Sequence, residues 1–260
     1  MKICRFLDPE TQRTRFGMIE NGAVYALLGG LSDENLSVEG TEPVVRLEEA
    51  QLLAPVEPSK VVCVGRNYRE HAAELGNPMP TEPLLFLKAP SAIVGQGDAI
   101  ELPGQSERVE HEGELAVVIG RKCRKVAEDE DPLSYVLGYT CVNDVTARDL
   151  QRRDVQFTRA KSFDTFCPVG PYIVTGLDPA DLRVETRVNG DVRQSGRTSA
   201  MAFPVRLLIR YISNVMTLNP GDLIATGTPA GVGPLTDGDT VEVEVEGVGT
   251  LRNHVKSLKK

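Results

Sequence analysis

The stretch VEHEGELAVVIG, residues 109–120, sets Glu110, Glu112 and Glu114 two apart and runs straight into an apolar segment. On a strand those positions point to one side, so three carboxylates crowd one face where the chain enters a core. Two arrangements relieve the repulsion: the glutamates mark the water-facing side of a half-exposed strand, or a divalent cation sits among them. The second gains support from Asp144, which falls between the β-like GYTCVN and the helix-like TARDLQ. Three oxygen donors with no spare His or Cys suit Mg²⁺ or Mn²⁺ rather than zinc. Spacing leaves open which two of Glu110, Glu112 and Glu114 would join Asp144.

The chain has three histidines, His71, His111 and His254. His71 lies three residues before Glu74 in GRNYREHAAELG, which reads as a short helix with Asn67 as N-cap and Gly76 as the left-handed C′ residue. The two side chains share a helical face, so the carboxylate could orient the imidazole and raise its basicity; otherwise they are a surface pair. His111 alternates away from the glutamates and reads as structural, and His254 belongs to no constellation. Arg148 and Gln151 follow Asp144 by four and seven positions and stay near one helical face. With Lys161 they would project donors toward anything a metal holds, or else lie on the surface. The segment ATGTPAGVG, residues 225–233, lacks the ending of a P-loop and does not match G-x-G-x-x-G. Its amides and Thr228 could bind a carboxylate, or it is a plain turn.

The elements that must position these residues are mostly strands. Residues 1–55 alternate short β-like runs with turn signals such as Asn21-Gly22, and LLAPVEPSK, residues 52–60, reads as a linker. Further strands are expected at VVCVG, LLFLKAP, ELAVVIG, YVLGYTCVND, GPYIVTG, DLIATG and DTVEVEVEGVGTLRNHV. Asn189-Gly190 signals a tight hairpin. The clearest helical pattern spans 202–218, with smaller pieces near 146–156, and EDEDP at 128–132 reads as a solvated turn. Strand dominates without a regular βαβ alternation, so an α+β fold is expected.

Composition narrows the function classes. The net charge of -8 opposes phosphate-backbone binding, so no nucleic-acid partner is expected. No apolar run approaches membrane-spanning length, and MKICRFLDPE lacks the apolar region of a secretory signal, which points to the cytoplasm and to no membrane partner. Five cysteines without a C-x-x-C pair argue against a zinc site or a disulfide framework. No G-x-S-x-G elbow or H-E-x-x-H motif occurs.

In order, GRNYREHAAELG, LLFLKAPSAIVG, HEGELAVVIG, GYTCVNDVTARDLQ, AKSFDTFCPVGPYIVT, VNGDVRQSG and PGDLIATGTPAGVG closely resemble the fumarylacetoacetate hydrolase family over about residues 60–255. The resemblance implies a catalytic domain at 56–260, a fumarylacetoacetase C-terminal-like mixed β-roll or barrel with peripheral helices. A small β-rich N-terminal domain at 1–55 would precede it, and the protein would be a homodimer. It selects Glu112, Glu114 and Asp144 as Mg²⁺ or Mn²⁺ ligands and makes Glu110 a bystander. His71 and Glu74 match the family's base dyad on a mobile segment. Arg148, Gln151, Lys161 and Thr228 match substrate-binding positions, Lys161 also a catalytic one, and Lys88 matches a lysine of variable role. Val64 stands where fumarylacetoacetase carries a fourth carboxylate, which favours the smaller members with three ligands.

The implied chemistry acts on a 2-oxo or 2-hydroxy-dienoic acid through a metal-stabilised enolate. The stretch from Asn143 to Val174 looks most like 2-hydroxyhepta-2,4-diene-1,7-dioate isomerases of aromatic-acid catabolism, with decarboxylation as a further outcome. Acylpyruvate or fumarylpyruvate hydrolysis and oxaloacetate decarboxylation or tautomerisation are the alternatives. A silent metabolite- and metal-binding protein is the alternative of another class, and the completeness of the dyad and the three ligands weighs against it.

Overall fold

The run from Leu115 to Ile119 explains the architecture. A strand that is apolar on every residue must be covered on both faces, and here it is. Leu115, Val117 and Ile119 enter one core cluster, with Val184, Val243 and Val245 and with Leu208, Ile209 and Ile212. Ala116 and Val118 enter another, with Ile3, Val61, Val142 and Leu223. In this computed structural model, which describes residues 1–31 and 36–258, the strand Gly113–Ile119 lies inside a 13-stranded sheet. Val136–Asn143 flanks it on one side and Leu223–Ala225 on the other. The sheet continues through Leu223–Ala225 to Val61–Gly65, in parallel, and then to Leu84–Lys88.

A second sheet of five strands, running from Ala99–Leu102 to Asp191–Arg197, packs its valines onto one face. Its hairpin turns at Asn189-Gly190, with φ of 54° and 85° as the Asn-Gly signal demands. Close approach of the sheets requires Gly113, because a Cβ there would lie 2.0 Å from Thr186 Oγ1. A third sheet of three short strands joins Thr146–Ala147, Val109–His111 and Gly233–Pro234.

Four α-helices flank the sheets among the described residues: α1 (Arg69–Glu74), α2 (Arg148–Arg153), α3 (Thr158–Lys161) and α4 (Val205–Val215). In α4 the apolar residues Val205, Leu208, Ile209 and Ile212 fall at helical spacing and are buried, each burial stabilising by about 1.5–3 kcal/mol. The amino-terminal strands are not a separate sheet. Lys2–Leu7 pairs with Cys167–Val174, so they extend the 13-stranded sheet. The expected linker is itself docked, with Leu52–Leu53 paired to Lys2–Leu7 and Val56 buried.

Two local expectations are corrected. Asn67 does not cap α1: the N-cap is Tyr68, without a side-chain hydrogen bond. The Asn67 amide is fully buried and finds distant partners instead, donating to Phe203 O (3.0 Å) and Thr226 O (2.7 Å) and accepting from Phe203 N (2.8 Å). This anchors the chain just before the helix. Gly76, with φ of 67°, does end it as expected. The glutamate-bearing stretch, in turn, is not one strand. It breaks at Glu112, whose N–H donates to Asn143 Oδ1 (2.9 Å) and whose carbonyl accepts from Asp144 N (2.8 Å). Val109–His111 then pairs in the three-stranded sheet and Gly113–Ile119 in the large one.

Candidate active site

The break at Glu112 brings the end of one strand against the end of its neighbour, Val136–Asn143, so that Asp144 meets the glutamates. Carboxylate oxygens of Glu112, Glu114 and Asp144 all lie within 4.8 Å of one another, and all three residues are buried. Glu110 is buried too, which excludes the water-facing arrangement. It lies outside the triad and holds cations: its carboxylate accepts from Arg108 Nε (2.5 Å) and Arg148 Nε (2.6 Å).

Arg148, the first residue of α2, also donates to Glu112 and, at 2.5 Å, to Gln151 Oε1. Lys161, at the end of α3, bridges Glu112 Oε2 (2.9 Å) and Asp144 Oδ2 (2.8 Å). Lys88 reaches Asp144 Oδ1 (2.5 Å) and Val145 O (3.0 Å) from the strand Leu84–Lys88. Burial of this kind is tolerated only when charges are paired and hydrogen-bonded. Burial disfavours the charge on Glu112, yet Lys161 and Arg148 outweigh it and hold the carboxyl well below its usual range. Burial likewise opposes the charge on Lys161, and Asp144 and Glu112 override it upward.

Glu114 is the exception. Among the described residues its only hydrogen bond is from the neutral Gly227 N, at 2.7 Å. Burial, then the charges of Asp144 and Glu112, push its carboxyl well above the usual range. Of the four buried carboxylates, Glu110, Glu112 and Asp144 are ion-paired with Arg108, Arg148, Lys161 and Lys88, and Glu114 has no cationic partner among the described residues. With oxygen-only donors and the apolar Val64 on the cavity wall, the triad fits a hard divalent cation.

The raised carboxyl of Glu114 gives a measurable pH signature. In the metal-free protein the folded state keeps a proton on Glu114 that the unfolded chain releases above its ordinary value of 4.5. Folding stability therefore falls as pH rises through this window. A cation held by the triad would replace that proton, so the rise in Tm on adding Mn²⁺ to EDTA-treated protein is expected to be larger at pH 8 than at pH 5.5. Thermal denaturation in a matched buffer series measures it, and a Mn²⁺ effect that is flat with pH would contradict the assignment.

The triad opens on a cavity of about 230 Å³ lined also by His71, Arg148, Gln151, Lys161 and Thr228. Phe86 and Phe157, edge to face with centroids 5.6 Å apart, form part of its wall. His71 is buried. Its Nδ1 lies 3.5 Å from Glu74 Oε2 without hydrogen-bonding geometry, and has no other partner among the described residues. Burial pushes the imidazole below 6.5, so it is neutral at physiological pH. Glu74 lies outside the cavity lining, and its carboxylate accepts from Gly231 N at 3.1 and 3.2 Å. The glycine-rich loop does bind carboxylates, but they are the protein's own: Gly227 takes Glu114 and Gly231 takes Glu74.

Of the residues singled out in the sequence, then, His71, Glu112, Glu114, Asp144, Arg148, Gln151, Lys161 and Thr228 share the cavity. Lys88 lies behind Asp144 and does not line it. His111 is structural, its Nδ1 3.1 Å from Gln194 Oε1, and His254 is exposed. Gln194 escaped the sequence reading. Its amide accepts from Gly113 N (3.0 Å) and donates to Thr228 Oγ1 (2.7 Å) and Pro229 O (2.7 Å), fixing the triad strand to the loop. A lone glutamine on a hairpin strand carries no local signal of that role. The hold of Glu110 on Arg148 was hinted at only by its place in the alternation.

A strand-dominated α+β fold with acidic triad, cations and histidine around one small cavity is the architecture of a small-molecule enzyme. The fumarylacetoacetate (FAA) hydrolase C-terminal domain model matches residues 60–256, and the chain belongs to that family, whose members are enzymes. An Rv2993c-like N-terminal model matches residues 1–55. The crystal structure of a 2-hydroxyhepta-2,4-diene-1,7-dioate isomerase from Mycobacterium marinum is 46% identical, with a TM-score of 0.89 over 100% of both chains. The oxaloacetate tautomerase YisK of Bacillus subtilis is 45% identical over 80% of this chain and 74% of its own. The human mitochondrial oxaloacetate tautomerase FAHD2A is 42% identical over 95% and 81%.

Proposed function

We propose that this protein is a Mg²⁺- or Mn²⁺-dependent enzyme that shifts a proton, and with it a double bond, in a 2-oxo or 2-hydroxy-dienoic acid. The observation that carries this reading is the buried, neutral His71, its Nδ1 without a hydrogen bond among the described residues, on the same small cavity as the acidic triad. Glu112, Glu114 and Asp144 would hold the cation, which when bound supplies electrostatic stabilisation of enolate charge. His71 takes a proton from the carbon beside the carbonyl and returns it at another position. Lys161 and Arg148 neutralise carboxylate and oxyanion charge, while Gln151 and Thr228 orient the acid. Phe86 and Phe157 exclude water from the proton path.

Proton transfer needs one base and no ordered water. Hydrolysis of an acylpyruvate needs a water activated by an oriented His71–Glu74 pair, and that pair is not hydrogen-bonded here. The names of the isomerase and tautomerase relatives support the same preference. The cavity volume of 230 Å³, below the roughly 300–1,000 Å³ of sites for drug-sized ligands, suits a short acid. The test is metal-dependent turnover of 2-hydroxyhepta-2,4-diene-1,7-dioate, of oxaloacetate enol, and of acetylpyruvate and fumarylpyruvate. Isomerisation of either of the first two is expected; carbon–carbon cleavage of the diketo acids alone would move the assignment to a hydrolase.

A further inference from the structure

Gly113 is the residue between Glu112 and Glu114, and both of its backbone polar groups are held by side chains. Its N–H donates to Gln194 Oε1 (3.0 Å) and its carbonyl accepts from Thr228 Oγ1 (2.8 Å). Those two side chains are joined in turn, with Gln194 Nε2 donating to Thr228 Oγ1 (2.7 Å) and to Pro229 O (2.7 Å). Because Oε1 accepts from a backbone amide while Nε2 donates to a carbonyl, the orientation of the Gln194 amide is fixed, and His111 Nδ1, 3.1 Å from Oε1, must carry the hydrogen. Gln194 is fully buried, and both lone pairs and both N–H groups of its amide are used. Its strand, Asp191–Arg197, is the edge of the five-stranded sheet. The loop 227–231 lies directly on that strand, since a Cβ on Gly231 would sit 2.0 Å from Arg193 O and one on Gly196 2.6 Å from Pro229 Cβ. The same loop gives the Gly227 amide to Glu114 and the Gly231 amide to Glu74.

We infer that Gln194 is a positioning residue for the triad: it sets the spacing between the Glu112–Glu114 peptide and the loop that holds Glu114, and thereby the affinity of the triad for a divalent cation. The inference rests on the reading of the triad as a Mg²⁺ or Mn²⁺ site and adds a residue that neither lines the cavity nor bonds to a carboxylate. The physical reason is rigidity. Three carboxylates repel one another, and they take one small cation well when a fixed backbone already holds them in place, because the cost of ordering them is then met in folding rather than on binding. Without the amide, Gly113 N–H and Pro229 O lose their partners inside the protein, while Thr228 keeps Gly113 O. Strand and loop then part, and Glu114 moves relative to Glu112 and Asp144.

Calorimetric titration of EDTA-treated protein with Mn²⁺ tests this on three variants, each kept below its own Tm. Gln194→Leu removes every hydrogen bond of the amide, and Gln194→Asn keeps an amide that is one methylene too short to span strand and loop. Both are expected to bind Mn²⁺ about 10–100-fold more weakly than the wild type, the scale for groups that orient metal ligands. Asn253→Ala is the control for general loosening: Asn253 is also buried, and it donates to Gly95 O (2.8 Å) and Asp98 O (3.0 Å), away from the cavity lining. It is expected to lower Tm and to leave Mn²⁺ affinity within about twofold, as for independent sites. If Gln194→Leu does not fold, Gln194→Asn decides alone. Wild-type affinity in the Gln194 variants, or an equal loss in Asn253→Ala, overturns the positioning role and leaves the cation site standing. A wild-type protein that takes up no Mn²⁺ removes the cation site and this role with it.

Discussion

Asp144→Asn is expected to lower Mn²⁺ affinity by more than about 100-fold and to abolish turnover with it, while circular dichroism stays that of the folded protein. Outer-shell partners of a metal are worth about 10–100-fold, and a ligand should exceed that. The substitution keeps the volume and one oxygen but removes a charge on which Lys88 and Lys161 both converge, at 2.5 and 2.8 Å. Lys161 keeps Glu112, whereas Lys88 keeps only Val145 O. Breaking a buried pair on one side costs about 3–5 kcal/mol, which in a chain of this size lowers Tm by roughly 5–15 °C. Calorimetric titration with Mn²⁺ below the lowered Tm checks the first part. Retention of wild-type affinity would remove Asp144 from the triad.

His71→Ala should separate what Asp144→Asn merges. His71 lines the cavity but is not one of the three clustered carboxylate residues. Mn²⁺ affinity is therefore expected to stay within about threefold of wild type, while kcat falls by roughly 10²-fold or more, the contribution of a positioned base. Exchange of substrate protons with D₂O, followed by NMR, reports the step directly and should vanish in the variant. The pH profile carries the sign: burial holds the imidazole below 6.5, so the neutral base persists to below pH 6.5 and activity falls only as pH drops further. That acid limb should be absent from the residual activity of the variant. Unchanged exchange would take His71 out of the chemistry.

Much of this was legible one segment at a time. The apolar run from Leu115 to Ile119, the Asn189-Gly190 hairpin, the helical spacing of α4 and the Gly76 terminus are local patterns, and each became the expected element. The triad residues were candidates from their chemistry alone. Asn67 shows the opposite case: its type signals an N-cap, but full burial lets Phe203 and Thr226, more than 130 residues away, outbid the helix for its amide. The glutamate alternation misled for a related reason. Period-two spacing assumes one continuous strand, and it breaks at Glu112, where the Asn143 side chain takes the N–H and the Asp144 N–H takes the carbonyl, hydrogen bonds that no local pattern encodes.

By itself, then, the sequence determined the strand-rich class, the covered apolar strands and the pool of carboxylates, cations and histidine from which a site could be made, because propensity, periodicity and residue chemistry act over a few neighbours. Tertiary structure alone decided which charges pair. It set Glu110 on Arg148 rather than in the triad, left Glu114 with only the amide of Gly227 among the described residues, and bound Glu74 to Gly231. Electrostatic partnership depends on distances of a few ångströms between groups up to 157 residues apart in the chain, and only the packed sheets bring those distances about.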